Sequence, residues 1–267
     1  MTVSYLDGRE AAYERGPLIR ETAEYQVFRA TELSCGAGVV LHRFPTPGGL
    51  SDSAKHSAIA TLKRYAMLRG PRLPRLVDAW IAHDHLAFVE HKQFGNAVSE
   101  RNNPFRLSGR QRPDVYEETL HLMVGLAKCN IIHGRLEASS FLIATDGKVY
   151  LDDTGVDGAI LKCLKASGAD TYGLAQSLAG FDIAQWAYTI IGLQTGEPLI
   201  ASSLGERWDA FEFEQAEKKV RMIFAKDAPQ EFFLRCLRGF TGTAPMYDSA
   251  TDAQKAWQIL QIRSLIA

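Results

Sequence analysis

The chain has 267 residues, enough to bury one large core or two smaller ones without disulfide or metal staples. With 46% hydrophobic and 23% charged residues it has an ordinary globular composition, and a net charge of −1 excludes wholesale attraction to nucleic acid or an anionic membrane. No run approaches the ~20 consecutive apolar residues of a membrane span, and the opening "MTVSYLDGREAAYERG" is too charged for a signal peptide.

In chain order, residues 25–44, "YQVFRATELSCGAGVVLHRF", predict two strands around the turn Cys35-Gly36-Ala37-Gly38. Residues 54–69 predict a helix stopped by Gly70-Pro71. Two more strands, "RLVDAWI" and "LAFVEH", flank the turn His83-Asp84-His85, and the polar stretch 95–113 reads as a connection. Leu120, Met123, Val124 and Ala127 then mark one face of a helix. "SFLI" and "KVYL" predict a short hairpin around Asp146-Gly147. Helical spacing returns at Ile183, Trp186, Ala187 and Ile190, over 209–225 and 230–238, and at Ala253, Ala256, Trp257 and Leu260. The order predicts an α+β chain with a small β-rich lobe over 1–92 and a larger α-rich lobe over 93–267.

Four segments carry a resemblance to a known family. "IIHGRLEASSFL" resembles H-R-D-L-x-x-x-N, with His133 and Leu136 in register, and "VYLDDTG" resembles the strand entering D-F-G, with Asp153 and Gly155 matching. "FDIAQWAYTIIGLQTGEP" resembles a D-x-W and T-G-x-P helix, with Asp182 and Trp186 near the expected places. "FFLRCLRGF" with "SATDAQKAW" resembles the closing helices. In this order the four resemble the eukaryotic-type protein kinase superfamily over nearly the whole chain, which implies a bilobal fold. It also implies that Asp182 accepts backbone N–H bonds from the His133 loop, and that His133 packs and bonds to backbone.

The positions on which phosphoryl transfer depends depart from the family pattern. The Gly-rich loop falls on Arg20 to Val27, which has no glycine, and a Cβ at Thr22 or Tyr25 obstructs approach of backbone N–H groups to phosphate. The phosphate-pairing lysine falls on His42, read as a mostly neutral imidazole on a short stem, and Val40 adds bulk where the pattern has alanine. The glutamate opposite that lysine falls on Thr61, in a helix read as lacking any acidic residue. The general base falls on Arg135, which keeps its proton, and the second metal ligand on Ser140. Arg135 and Glu137 exchange the pattern's signs, and the two readings open are a pair that holds the loop or two solvated charges that contribute nothing to each other.

Asp153 retains the family carboxylate. Strand alternation sets it on one side with Val149 and Leu151, a candidate for a metal-nucleotide complex or a simple hydrogen-bond acceptor. His83, His85, Glu90 and His91 lack a clear fourth ligand spacing for zinc and read as solvated turn residues. Cys35, Cys129, Cys163 and Cys236 are scattered, which predicts packing roles in a reducing compartment, and the protein is expected to be soluble and cytoplasmic.

The resemblance therefore implies a pseudokinase with no cofactor, ATP with magnesium not being expected to bind in the ordinary way. Its expected partner is another protein, such as an active kinase or other enzyme, engaged as a scaffold or allosteric regulator. Membrane insertion is not expected. The alternative is an atypical nucleotide-binding transferase using Asp153 with Arg20, Arg43 or Lys63 as substitute cations. A third reading, nucleic-acid binding through the basic segment 63–75, runs against the near-neutral charge and predicts a steep salt dependence.

Overall fold

A computed structural model describes residues 9–91, 96–97, 112–143, 148–165, 172–200, 207–244 and 246–266. The chain begins with β1 (Tyr13–Glu21), β2 (Gln26–Glu32), β3 (Ala37–Pro45), α1 (Asp52–Ala66), β4 (Arg75–Ile81) and β5 (His85–His91). It continues through β6 (Asn96–Ala97), α2 (Arg112–Lys128), β7 (Phe141–Ile143), β8 (Val149–Leu151) and α3 (Val156–Lys165). Four helices follow, α4 (Tyr172–Thr195), α5 (Ala210–Ile223), α6 (Asp227–Thr241) and α7 (Ala250–Ile266). The fold is thus mixed α+β, with seven α-helices among the described residues.

Two units divide the chain: Met1–Gln93 with Val156–Thr171, and Phe94–Gly155 with Tyr172–Ala267. The segment carrying α3 therefore groups with the N-terminal strands, away from its neighbours in sequence.

In the first unit five antiparallel strands form one sheet in the order β1-β2-β3-β5-β4. Its pleat sends alternate residues to opposite faces. One face buries Tyr13, Ala30, Leu41, Trp80, Ala87 and Val89, with Tyr13 stacked on Trp80 at 5.9 Å between ring centroids. The other carries Phe44 and Phe88, stacked at 5.9 Å. Sequence reading missed β1, because "YERGPLIRE" is exposed along almost its whole length and so carries no apolar alternation.

α1 starts where the Ser51 hydroxyl accepts the Ala54 N–H at 3.2 Å, an N-cap that admits Asp52 to the first turn. The helix thus begins two residues before the predicted start and includes one acid. It ends at Ala66, short of Arg69, because Met67 and Leu68 bond back three residues and Arg69 donates to the Ala66 and Leu68 carbonyls.

In the second unit α4 is buried on every side from Gly180 to Ile191, packing Ile183, Ala184, Trp186, Ala187, Ile190 and Ile191 and carrying the buried polar Asp182, Gln185 and Thr189. It packs so closely on α6 that a Cβ on Gly239 would sit 1.9 Å from the Gly180 carbonyl oxygen. Trp186 stacks on Phe233 at 6.1 Å and donates its indole N–H to the buried Thr119 hydroxyl at 3.0 Å. The predicted hairpin is β7 paired with β8, and β6 adds a third strand. The Asp146-Gly147 turn and most of the 95–113 connection lie outside the described residues. Among the described residues no helix is long and apolar enough to cross a membrane.

Candidate functional site

The first unit brings three ionisable side chains together in its interior. Alternation along β3 puts Val40, His42 and Phe44 on one face, and the register sets Phe88 of β5 opposite His42 and Glu90 opposite Val40. The His42 imidazole stacks on Phe88 at 4.3 Å. Its Nε2 lies 3.1 Å from Glu90 Oε1, and its Nδ1 lies 2.8 Å from Oδ1 of Asp157, in the first turn of α3. His42, Glu90 and Asp157 are all buried.

A ring with a carboxylate oxygen at each nitrogen is satisfied as an imidazolium, the only form that donates from both. Burial pushes the His42 pKa down, but Asp157 and then Glu90 push it up, to about 9 overall. The sequence expectation of a mostly neutral imidazole is therefore corrected: His42 is charged at neutral pH, because its partners come from β5 and α3. Both ring N–H donors of the imidazolium are thus committed to carboxylate oxygens.

Thr61 is buried on α1 with its hydroxyl 3.5 Å from the Cys163 sulfur of α3. α3 instead carries Asp157, one of the two carboxylates that His42 meets. Sequence reading missed α3, although Val156, Ile160 and Cys163 at i, i+4 and i+7 carry its apolar face. It also took Glu90 and His85 for solvated turn residues. Both are buried, and the His85 Nδ1 lies 2.6 Å from Asp84 Oδ1; His83 and His91 are exposed as expected. Val40 is fully buried.

In the second unit the loop between α2 and β7 is held by its backbone. Asp182 accepts the His133 N–H at 2.7 Å with one carboxylate oxygen and the Gly134 N–H at 2.8 Å with the other, as expected from the sequence. One helical turn later Gln185 accepts the Leu136 N–H at 2.9 Å, and Thr189 donates to the Leu136 carbonyl at 3.1 Å. His133 is buried and donates from Nε2 to the Asp153 carbonyl at 2.8 Å, the expected packing and backbone-bonding role. The chain passes so close at this point that a Cβ on Gly155, whose φ is +74°, would lie 2.2 Å from the His133 carbonyl oxygen.

The remaining predicted residues share this loop and hairpin. Arg135 pairs with Glu137 at 2.7 Å, but its side chain is 81% exposed. Ser140 is buried, and its hydroxyl accepts the Glu137 N–H at 3.1 Å. Asp153 Oδ1 accepts the Gly155 N–H at 2.8 Å, which folds the carboxylate back over its own turn. Of the proposed substitute cations, Arg43 donates to Asp84 at 3.3 Å and Arg20 to the Tyr25 hydroxyl at 3.1 Å. Lys63 is exposed. None of the four cysteines forms a disulfide; Cys163 and Cys236 are buried, and burial pushes the Cys236 thiol well up. Among the described residues no group of three or more His, Cys, Asp or Glu is arranged to hold a metal ion.

Compared with the models of known protein families and with curated proteins, the chain matches none.

Proposed function

We propose that the chain is a degenerate member of the protein kinase superfamily, a pseudokinase whose two units correspond to the β-rich and α-rich lobes of that fold. It acts by binding another protein, as a scaffold or as an allosteric regulator of an active enzyme, and has lost ordinary ATP binding. The observation that carries this reading is the engagement of His42. At the position resembling the phosphate-pairing lysine stands a buried imidazolium already bonded to Glu90 and Asp157. Releasing it to a phosphate would break both of these buried charge-assisted bonds, at a cost of several kcal/mol.

The loop bears on the same reading. Phosphoryl transfer needs a carboxylate to orient the acceptor hydroxyl and ligands to hold metal against the phosphates. Arg135 has no acceptor capacity, and the Ser140 hydroxyl is a buried neutral oxygen bonded within its own turn.

The test is thermal unfolding of the purified chain with millimolar ATP, alone and with magnesium or manganese. A ligand present at 100 times its dissociation constant adds about 2.7 kcal/mol, which raises the midpoint of a chain of this size by several degrees. The expected result is no shift under any of these conditions. A metal-dependent shift that Asp153→Ala removes would overturn the loss of nucleotide binding and favour the transferase.

A further inference from the structure

α5 exposes two large apolar side chains, Phe211 at 65% and Met222 at 84%. Eleven residues separate them, which is three helical turns, so they lie on one stripe of the helix. Gln215 and Lys218 complete that stripe, both exposed, and the opposite face buries Ala216 and Val220 against its own unit. The spacing 211, 215, 218, 222 is the alternating four-three step of a coiled-coil seam. Phe211 and Lys218 then occupy d positions, and Gln215 and Met222 occupy a positions.

The flanks show what fits this seam. The e positions are Glu212 and Lys219, and the g positions are Glu214 and Arg221. When two such helices pair antiparallel, a meets d, e meets e and g meets g across the dyad. Phe211 then meets Met222 of a second copy, and Lys218 meets Gln215. Glu212 meets Lys219, and Glu214 meets Arg221. Every flanking contact joins opposite charges, and no lysine faces a lysine. Parallel pairing would instead set Lys218 against Lys218. The helix dipole by itself favours acids early and bases late, but it gives no reason for Phe211 and Met222 to stand in water.

We infer that α5 is a self-association surface whose occupant is α5 of a second copy of this chain, packed antiparallel about a twofold axis. The helix has 14 residues, roughly 21 Å at 1.5 Å per residue. Such a contact falls short of the roughly 1,200 Å² of buried surface that stable complexes reach, so the dimer is weak and forms with rising concentration.

The experiment is sedimentation equilibrium of the full chain from about 10 to 500 µM, spanning the range of weak association. The mass of the unaltered chain rises with concentration from monomer toward dimer. Phe211→Ser with Met222→Ser keeps it monomeric, and circular dichroism melts establish that the variant is folded. Glu214→Lys or Arg221→Glu, each alone, places like charges at both g contacts and weakens association by about tenfold or more. An equimolar mixture of these two variants restores it, because each altered side chain then meets its opposite in the other copy. A chain that stays monomeric throughout overturns the proposal and leaves the stripe to a different protein. Association that the mixture fails to restore overturns the antiparallel register.

Discussion

His42 of β3 and Asp157 of α3 stand 115 positions apart in the chain and 2.8 Å apart in space, Nδ1 to Oδ1. The contact fastens α3 to the sheet, with Glu90 closing the other side of the ring at 3.1 Å. Removing one member of a buried ion cluster strands the others, and the cost depends on what is left. His42→Ala removes the buried cation that both Asp157 and Glu90 meet and is expected to cost about 3–5 kcal/mol. Asp157→Asn leaves the His42–Glu90 pair intact and should cost less. Urea unfolding of the two variants checks the order, and equal losses would mean that Asp157 and Glu90 do not share one cation.

The same cluster makes stability depend on pH with a defined sign. His42 has its folded pKa raised from 6.5 to about 9, so the folded state holds the proton more tightly than the unfolded chain does. The stabilisation is complete below pH 6.5 and is lost as pH rises toward 9, on the order of 3 kcal/mol in all. Urea midpoints at pH 6, 7.5 and 9 should fall in that order, and His42→Gln should flatten the trend. A midpoint that rises over this range would contradict an imidazolium at this position.

Asp182 serves two backbone donors at once. Asp182→Ala leaves the His133 and Gly134 N–H groups without their acceptor in a buried site and should cost about 2–4 kcal/mol. Asp182→Asn keeps one acceptor oxygen but turns an NH₂ toward the other N–H, so it should recover only part of the loss. Denaturant titration of the pair reads this directly, and full recovery with Asn would mean that only one of the two bonds matters.

By contrast, the Arg135–Glu137 bridge should contribute little despite its 2.7 Å length. Its arginine stands in solvent, and exposed pairs of this kind contribute at most about 1 kcal/mol. A double-mutant cycle with Arg135→Ala and Glu137→Ala measures the coupling. A value above 2 kcal/mol would assign the loop's shape to this bridge rather than to Asp182 and Gln185.

Gly239 tests the packing of α4 on α6. Gly239→Ala drives a methyl group into the Gly180 carbonyl, a backbone atom that can yield only if a helix shifts. The expected loss is about 1–3 kcal/mol or more, against the small gain alanine normally brings to a helix interior. An unchanged melting temperature would show that the two helices separate freely.

The sequence made some of these features legible and hid others, for identifiable reasons. β2 to β4 and the helices α1, α2 and α5 to α7 announce themselves by apolar spacing, while α4 and β5, buried nearly all round, show as apolar runs. The bonding of Asp182 was legible through its motif, since the residue lies on a helix whose neighbours share the pattern. β1 was invisible because both its faces are wet. α3 carried a fair apolar spacing, but it is only ten residues long, between the hairpin and the longer α4, and so offered only a short stretch of signal. Glu90 and His85 look like turn residues beside Asp84, and only the pairing of β3 with β5 buries them.

By itself, the sequence determined what is covalently absent: no ammonium at 42, no carboxylate at 61 or 135, no amide at 140. Those facts hold in any conformation. The tertiary structure alone decided what stands in their place. Whether His42 carries a proton depends on which side chains reach it inside the unit, and both carboxylates come from distant segments. A free histidine is mostly neutral at physiological pH; one buried between Glu90 and Asp157 is a cation, because only the folded chain brings those charges within hydrogen-bonding distance.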